Sequence, residues 1–397
     1  MAIGVRRDEE FSGTKPVEEH HRFDEARLDA WMRRNVDRYE GRLVVNQFKG
    51  GQSNLTYVRT YPTTQWLGNT MKFSTITSRI VLAVSLAFAG AFVAVAPAQA
   101  EAPMQRKQVP GFYRTMIGDY EVTALYDGGG GIDSSLLHGD PALIQSLLAR
   151  SFQNDPKNVS ASVQGYLVNT GSKLVLIDTG AGGHWGGPTL GKLVQNLKAS
   201  GYKPEQVDLV LVTHLHADHV GGIYKKGKRV FPNATVMMKK ADADFWLSKE
   251  IAAKAPEEAK VFFTMAQDGA APYIAAGKWK PFEGMDEIVP GIAPYAIPGH
   301  TPGHTGYMIS SKGQSLLVWG DVTHVIAVQM PHPEIGIAFD ADSAMAIKTR
   351  EDLLVKLAAD KTMIAAAHMP FPGLGRVRKA DAGAGYDWVP ATFLDLK

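Results

Sequence analysis

Two stretches of the chain share one hydrophobic pattern: an apolar run, a short polar turn and a second apolar run. They are residues 166–177 and 306–319, and apolar runs on either side of a Gly- or Ser-containing turn are typical of antiparallel β-strands. Each stretch leads towards an aspartate, Asp178 after the first and Asp321 after the second. The pattern therefore predicts two similar β-hairpins, each with a carboxylate at a strand end.

Segments of helical periodicity alternate with apolar runs along the chain. Apolar residues at a spacing of three and four predict helices, and short uninterrupted apolar runs predict buried strands. A glycine run at 128–131 predicts a flexible loop. Strands interleaved with helices indicate an α/β (α+β) fold with sheet inside and helix outside. The predicted helices are 141–152, 191–200, 242–250, 257–276 and 343–359, and the further predicted strands are 120–125, 208–212 and 362–367.

Residues 1–70 differ from this pattern. They are polar and charged, and residues 44–54 resemble the opening of the nucleotide-binding lobe of aminoglycoside-phosphotransferase-like kinases, in which a glycine-rich turn covers phosphates. The resemblance stops near Tyr57, and no kinase catalytic loop follows. We therefore interpret residues 1–70 as a disordered leader, either a truncated kinase-like fragment or the product of an overextended translation start.

Residues 71–100 have the composition of a secretory signal peptide. Basic residues precede an almost wholly apolar run at 80–96, and residues 98–100 fit a small-residue cleavage site. The run is shorter than the roughly 20 apolar residues that a spanning helix needs, which argues against a membrane anchor. The segment predicts a periplasmic or secreted protein, cleaved near Ala100, whose mature domain at 101–397 does not insert stably in a membrane.

The overall composition narrows the class of partner. Of the 397 residues, 45% are hydrophobic and 21% are charged, which is ordinary for a globular protein. With 42 basic and 40 acidic residues, the net charge of +2 gives no field that would hold nucleic acid. The chain has no cysteine, so a metal site would use nitrogen and oxygen ligands. The sequence does not fix the oligomeric state, and a homodimer stays open.

Four side chains of the type that binds metal lie within six residues, at His214, His216, Asp218 and His219. They follow the apolar run at 208–212, so a rigid strand end would hold them. Neutral imidazole and carboxylate suit zinc and related divalent ions, and such a loop can serve two ions while leaving room for water. A histidine-rich surface loop is the alternative, but four ligand-type residues at a strand end favour a metal site.

Three further stretches complete a recurrent set: residues 298–305, residues 320–321 and His368. With the His214 loop they resemble the metallo-β-lactamase-fold hydrolases from about Met116 to the C-terminus. The resemblance implies a four-layer αββα sandwich that holds two divalent metal ions, with zinc as the expected ion. In the implied assignment one ion takes His214, His216 and His300, the second takes Asp218, His219 and His368, Asp321 bridges both, Asp178 orients a ligating histidine, and His304 is structural.

Shorter motifs resemble one group in that superfamily, the methyl parathion hydrolases or organophosphorus hydrolases and related secreted lactonases. These motifs are residues 165–174, 187–191, 244–248 and 371–375. In that group aromatic side chains above the metals hold the leaving group, and the matching positions here are Trp185, Trp246 and Phe262. Core packing is the alternative for Trp246 and Phe262, whereas the glycine-rich loop around Trp185 favours exposure.

His324 departs from the apolar residue that methyl parathion hydrolases have just after the bridging aspartate. A polar group beside the metals suits a lactone or ester carbonyl better than a bulky phosphotriester, although a hydrogen-bonded loop histidine is the alternative. The resemblance implies catalytic roles for Asp218 and Asp321, and we assign His324 to catalysis and substrate binding.

The expected reaction is cleavage of small neutral lactones and aryl esters by a metal-bridging hydroxide, with phosphotriesters as a side activity. A dedicated organophosphate hydrolase is the alternative. Other classes of protein with this fold fit the sequence less well. Flavodiiron members use Glu where His216 stands and carry a flavin domain, and a nucleic-acid-processing member would need a basic arm. A non-catalytic binding module would be expected to lose ligands.

Overall fold

The computed structural model describes residues 14–16, 24–35, 45–48, 57–59, 64–67, 70–73, 104–381, 383, 385–394 and 396. The contacts within the chain divide it into two compact units, Met1–Glu101 and Ala102–Lys397. The boundary between these units falls where the sequence predicts the mature domain to begin.

In the first unit the described residues form short elements. Strands Thr14–Pro16, Val45–Phe48 and Tyr57–Arg59 make an antiparallel sheet, Thr64–Leu67 pairs with Thr70–Phe73, and Glu25–Asn35 is a helix. The disorder expected for residues 1–70 stays a prediction, because the described elements cover only part of that stretch. The predicted apolar run and cleavage site of the signal peptide lie outside the described residues.

The second unit contains two six-stranded sheets. The first has the strands, in spatial order, Thr235–Met237, Leu209–Leu211, Leu174–Ile177, Val159–Asn169, Tyr120–Ile132 and Phe112–Ile117. The second has Ile292–Ala296, Thr305–Ser311, Gln314–Val318, Met363–Ala365, Leu374–Lys379 and Tyr386–Pro390. Two small antiparallel pairs, Leu137–His138 with Gly336–Ile337 and Tyr224–Lys225 with Lys228–Arg229, lie outside these sheets.

Helices cover the outer face of each sheet. They are Pro141–Arg150, Leu193–Ala199, Ala217–Val220, Lys240–Trp246, Lys249–Lys254, Glu257–Ala275, Ile326–Gln329 and Ser343–Asp360. Every predicted helix is confirmed to within a few residues, except that the predicted 242–250 divides into two short helices around Ser248, whose hydroxyl caps the second.

The strand Leu174–Ile177 shows why the apolar runs of the sequence are continuous. Leu176 points into the core that the helices form on the outer face of the first sheet. Ile177 points the other way, into the core between the sheets, where it meets residues of the second sheet such as Tyr307. A third core lies under the helix Ser343–Asp360 on the outer face of the second sheet. Both faces of each central strand are therefore buried, which requires apolar residues at successive positions and confirms the four-layer αββα sandwich.

The prediction of a flexible loop at the glycine run 128–131 is wrong. These residues extend the strand Tyr120–Ile132 and pair with Val159–Asn169, with one irregularity between Tyr126 and Gly128. Pairing with a long neighbouring strand outweighs the local preference of glycine. Gly128 has no room for a side chain, because an added Cβ would lie 2.0 Å from the carbonyl oxygen of Thr189.

The strand ends that carry the candidate ligands meet at one edge of the sandwich. Leu174–Ile177 runs parallel to Leu209–Leu211, and Gln314–Val318 runs parallel to Met363–Ala365. Parallel neighbours have their carboxyl ends on the same edge of a sheet, where ligands of open α/β sheets bind. The loops that follow these four strands therefore lie side by side. They contain, in order, Asp178, the His214 loop, Asp321 and His368.

Among the described helices, none combines the length and the apolar character that crossing a bilayer requires.

A chain that begins at Glu101 is expected to fold and to bind metal as the full chain does, because the two sheets and all candidate ligands lie in the second unit. Thermal unfolding and metal content of the two chains would be compared. If the shorter chain is insoluble, or binds less metal than the full chain, then residues 1–100 are part of the working structure.

Candidate metal centre

The first set of candidate ligands gathers three ring nitrogens and a carboxylate. The ligand atoms of His214, His216, His300 and Asp321 all lie within 4.8 Å of one another. His216 Nδ1 is 3.0 Å from His214 Nε2 and 3.0 Å from His300 Nε2. Asp321 Oδ2 lies 3.5 Å from His214 Nε2 and 3.3 Å from His300 Nε2. This geometry is that of three imidazoles and one carboxylate oxygen around a single point.

The second set lies on the other side of the same carboxylate. Asp218, His219 and His368 form a group within the same limit, and Asp218 Oδ2 is 3.7 Å from His219 Nε2 and 3.6 Å from His368 Nε2. Asp321 Oδ1 lies 3.0 Å from His219 Nε2, and Asp321 Oδ2 lies 3.2 Å from His368 Nε2. Asp321 thus stands between the two sets, as a bridging ligand would.

Hydrogen bonds on the far side of three rings decide which nitrogen faces the centre. The Nδ1–H groups of His219 and His300 donate to the carboxylates of Asp178 and Asp340, at 2.8 and 2.9 Å. The Nδ1–H of His368 donates to the carbonyl of Ser162 at 2.9 Å. Because these protons are on Nδ1, the Nε2 atoms present lone pairs to the centre, as second-sphere partners arrange for metal-bound histidines.

Asp178 also reaches His214 through Thr213. Its carboxylate accepts hydrogen bonds from the backbone N–H and the hydroxyl of Thr213, both at 2.8 Å, and the hydroxyl oxygen in turn accepts from His214 Nδ1 at 3.0 Å. One carboxylate therefore orients a histidine in each set. The position agrees with the role expected for Asp178. Asp340 was not anticipated, because no motif surrounds it and its contact with His300 spans 40 residues.

The residues present fit a pair of cations. His219 Nε2 and Asp321 Oδ1 are buried and have no hydrogen-bond partner among the described atoms, and unpartnered buried polar atoms are costly unless an ion or water satisfies them. The donor set is imidazole and carboxylate, which suits zinc and related divalent ions.

The electrostatics of the centre also favour positive charge. Burial opposes protonation of His300, yet the carboxylates of Asp321 and Asp340 outweigh burial and raise its pKa to about 9. Burial alone would raise the pKa of Asp321, but the surrounding histidines, His219 first among them, hold that pKa well below its usual range. Burial lowers the pKa of His214 well below its usual value and keeps that ring neutral. The carboxylates thus draw a positive charge to the centre, and a bound metal ion would supply that charge and displace the proton from His300, because a ligating imidazole is neutral.

His304 supports the centre without facing it. Its Nδ1–H donates to the carbonyl of Ile297 and its Nε2 accepts the backbone N–H of Asp321, both at 3.0 Å. Burial lowers the pKa of His304 to about 3, so the neutral ring can accept that hydrogen bond. These contacts support the structural role predicted for His304.

His324 lies against the centre. Its Nε2 is 3.1 Å from Asp321 Oδ2, and it forms a third close group with Asp321 and His368. Burial lowers the pKa of His324 to about 4, and its Nδ1 has no hydrogen-bond partner among the described atoms. Its backbone N–H donates to Gln329 Oε1, which fixes the loop. A neutral polar ring is thus held beside the candidate bridge.

The three predicted aromatic residues have different surroundings. Trp246 is buried, with its ring 5.1 Å from that of His216 and 4.6 Å from that of Phe263, so it packs behind a candidate ligand. Trp185 is 39% exposed and meets Phe262 edge-on at 6.5 Å. Exposure of Trp185 agrees with its glycine-rich loop, and the core-packing alternative describes Trp246.

A cavity of about 500 Å³ opens on the other side of the centre, with His368 in its wall. None of Trp185, Trp246 and Phe262 lines it. Its apolar surface comes mainly from Tyr126, Ile326, Pro370 and Phe371, and the rings of Tyr126 and Phe371 are in edge contact at 5.5 Å. Sequence reasoning missed this cavity because its walls come from six separate stretches with no shared motif.

A family model described as the metallo-beta-lactamase superfamily matches residues 161–368, a range that holds all seven candidate ligands. The chain belongs to the metallo-β-lactamase superfamily. This membership agrees with the two sheets and with the strand-end position of the ligands.

Two solved structures of the superfamily cover nearly three quarters of the chain. Hydrolase AbOPH is 40% identical with a TM-score of 0.69, covering 73% of this chain and 100% of that one. AidC, a dizinc quorum-quenching lactonase solved with a product N-hexanoyl-L-homoserine, is 29% identical with a TM-score of 0.66, covering 72% of this chain and 99% of that one.

A curated relative in the superfamily matches over a shorter stretch. The N-acyl homoserine lactonase of Bacillus cereus is 30% identical over 127 residues, which are 32% of this chain and 42% of the relative. The match therefore spans less than half of that lactonase.

The chain is expected to bind two divalent ions, and Asp321→Ala is expected to bind fewer and to lose more than about 100-fold in hydrolytic activity, because the change removes a ligand from both sets. Elemental analysis of protein loaded with excess zinc measures the first quantity. The exposed Asp352 gives a matched control, since Asp352→Ala removes a carboxylate far from the centre. One ion per wild-type chain would count against the two-ion assignment.

Proposed function

We propose that the chain is a metal-dependent hydrolase of lactones and aryl esters that uses two divalent ions, with zinc as the expected ion. The observation that carries this proposal is the pair of ligand sets that share Asp321. When bound, such ions supply a nucleophile from water at neutral pH and polarise the carbonyl that is attacked. The dizinc lactonase AidC, 29% identical over most of this chain, supports the choice of zinc and of a lactone.

The chain's own residues hold this chemistry in place. Asp178 and Asp340 fix the rings of His219 and His300 through short hydrogen bonds, so no ring has to reorient during turnover. His304 holds the backbone of Asp321 and so fixes the carboxylate between the two sets. Preorganised ligands of this kind avoid reorganisation in the transition state, which is the main source of electrostatic catalysis.

The cavity beside His368 supports a substrate with an apolar substituent. Its volume of about 500 Å³ is within the range of small-molecule sites, which are mostly apolar with a few polar groups. Because His368 belongs both to the wall and to the second ligand set, a substituent in the cavity would be attached close to the reacting carbonyl. The acyl chain of an N-acyl homoserine lactone has this chemistry, and the curated relative acts on that class by its name.

His324 supports a carbonyl substrate over a phosphotriester. A neutral imidazole near Asp321 can hydrogen-bond a lactone or the oxygen it releases, whereas the bulky apolar substituents of a dialkyl aryl phosphate fit an apolar surface better than a polar ring. Phosphotriester cleavage is therefore proposed as a side activity. We also propose export, on the basis of the signal-peptide composition of residues 71–100.

Replacing His324 with Leu is expected to lower kcat/KM for a lactone relative to a dialkyl aryl phosphate, by roughly 10-fold or more, because one well-placed polar group is worth about that much. Both activities would be measured on protein of verified metal content. An unchanged ratio would show that His324 is a bystander. A wild-type protein that strongly prefers the phosphotriester would favour a dedicated organophosphate hydrolase instead.

Replacing Ile326 with Trp is expected to lower kcat/KM for N-decanoyl relative to N-butanoyl homoserine lactone, by roughly 10-fold or more, because the indole would fill the cavity that the longer chain needs. Val355→Trp on the outer helix adds the same group at a position that is 60% exposed, and should leave the ratio unchanged. Equal effects on both chain lengths would place the acyl chain elsewhere.

A further inference from the structure

A buried aspartate joins the two loops that carry the first ligand set. Asp242 lies in the helix Lys240–Trp246 and is 0% exposed. Its Oδ2 accepts the backbone N–H of Leu215 at 2.7 Å, and its Oδ1 accepts the backbone N–H of Gly303 at 2.9 Å. The two oxygens of one carboxylate are therefore each committed to a different loop.

Both contacts fall next to candidate ligands. Leu215 stands between His214 and His216, and Gly303 lies in the same loop as His300, three residues later. The approach at Gly303 is close, since an added Cβ would lie 2.4 Å from the backbone nitrogen of Asp242. Among the described residues, Asp242 supplies the only side-chain acceptor for either of these loop amides.

We propose that Asp242 is a positioning residue that sets the separation of His214, His216 and His300 without touching the metal. The inference rests on the proposed two-ion function. A carboxylate has the required form because both of its oxygens accept, so it can hold two donors from two loops. Asn keeps one acceptor and turns an amide NH₂ towards the other backbone N–H, so Asp242→Asn should release one loop while preserving shape.

Asp127 offers a matched control within the same protein. It is also 0% exposed, and its carboxylate accepts three backbone N–H groups, from Ala181, Gly191 and Leu193, at 3.0, 2.9 and 2.9 Å. None of these amides adjoins a candidate ligand; they lie in the loop after Asp178, whose own hydrogen bonds to Thr213 and His219 the substitution leaves in place. Asp127→Asn therefore imposes a similar loss of buried hydrogen bonds on a loop outside the ligand sets.

The experiment compares wild type, Asp242→Asn and Asp127→Asn in the full chain. Zinc affinity would be measured by competition with a chromophoric chelator, the coordination by the visible absorption of the cobalt(II)-loaded proteins, and the stability by thermal unfolding of the metal-free proteins. We expect Asp242→Asn to weaken one of the two zinc sites about 10- to 100-fold, as loss of a supporting contact typically does, and to alter the cobalt spectrum. Asp127→Asn should keep both affinities and the spectrum, whatever its stability.

Equal zinc affinities and spectra in all three proteins would overturn the proposal, and so would equal losses in both variants. If Asp242→Asn does not fold, Gly303→Ala tests the same contact from the other loop, because its added methyl group displaces that loop while the carboxylate remains. An unchanged zinc affinity in Gly303→Ala would then overturn the proposal. A wild-type protein that binds fewer than two ions would instead refute the proposed function.

Discussion

The carboxylate of Asp321 is buried among five imidazoles, and the rest of the centre depends on how this one charge is compensated. The ring nitrogens of His214, His219, His300, His324 and His368 lie 3.0 to 3.5 Å from its oxygens. A buried charge is tolerated only where partners and hydrogen bonds replace the lost water. The sandwich provides these partners because several of its strands end at one edge. The electrostatics of the centre therefore depend on the fold.

The sequence predicted those parts of the structure whose signal is local. Both hairpins and the end of the strand before His214 are marked by apolar runs whose two faces enter different cores, as Leu176 and Ile177 do. The ligands of the His214 loop were found because residue types that bind metal are uncommon at such strand ends, whereas His300, Asp321 and His368 were assigned through the family resemblance. Helix positions followed from periodicity, with differences near their ends and a division of the predicted helix 242–250 at Ser248.

The parts that sequence reasoning missed depend on contacts between distant residues. Asp340 was not found because its role depends on a hydrogen bond to His300. The second hairpin separates these two residues in the sequence. The prediction of a loop at the glycines after Asp127 was wrong because pairing with the strand Val159–Asn169 keeps these glycines extended. The aromatic positions were found individually, but which of them share a surface depends on the packing of three separate helices and loops. Trp246, for example, packs against Phe263 rather than facing the cavity.

The distribution of the ligands over distant strand ends also sets the order of folding and metal loading. In small zinc-binding domains the ligands are close in sequence, and the metal itself drives folding. Here the first ligand in the chain, His214, and the last, His368, come together only after both sheets have paired and stacked. Contacts of such long range form late, so the scaffold has to exist before the centre does. We therefore expect the scaffold to form before the metal binds, so that an ion lost to a chelator is replaced in a chain that stays folded.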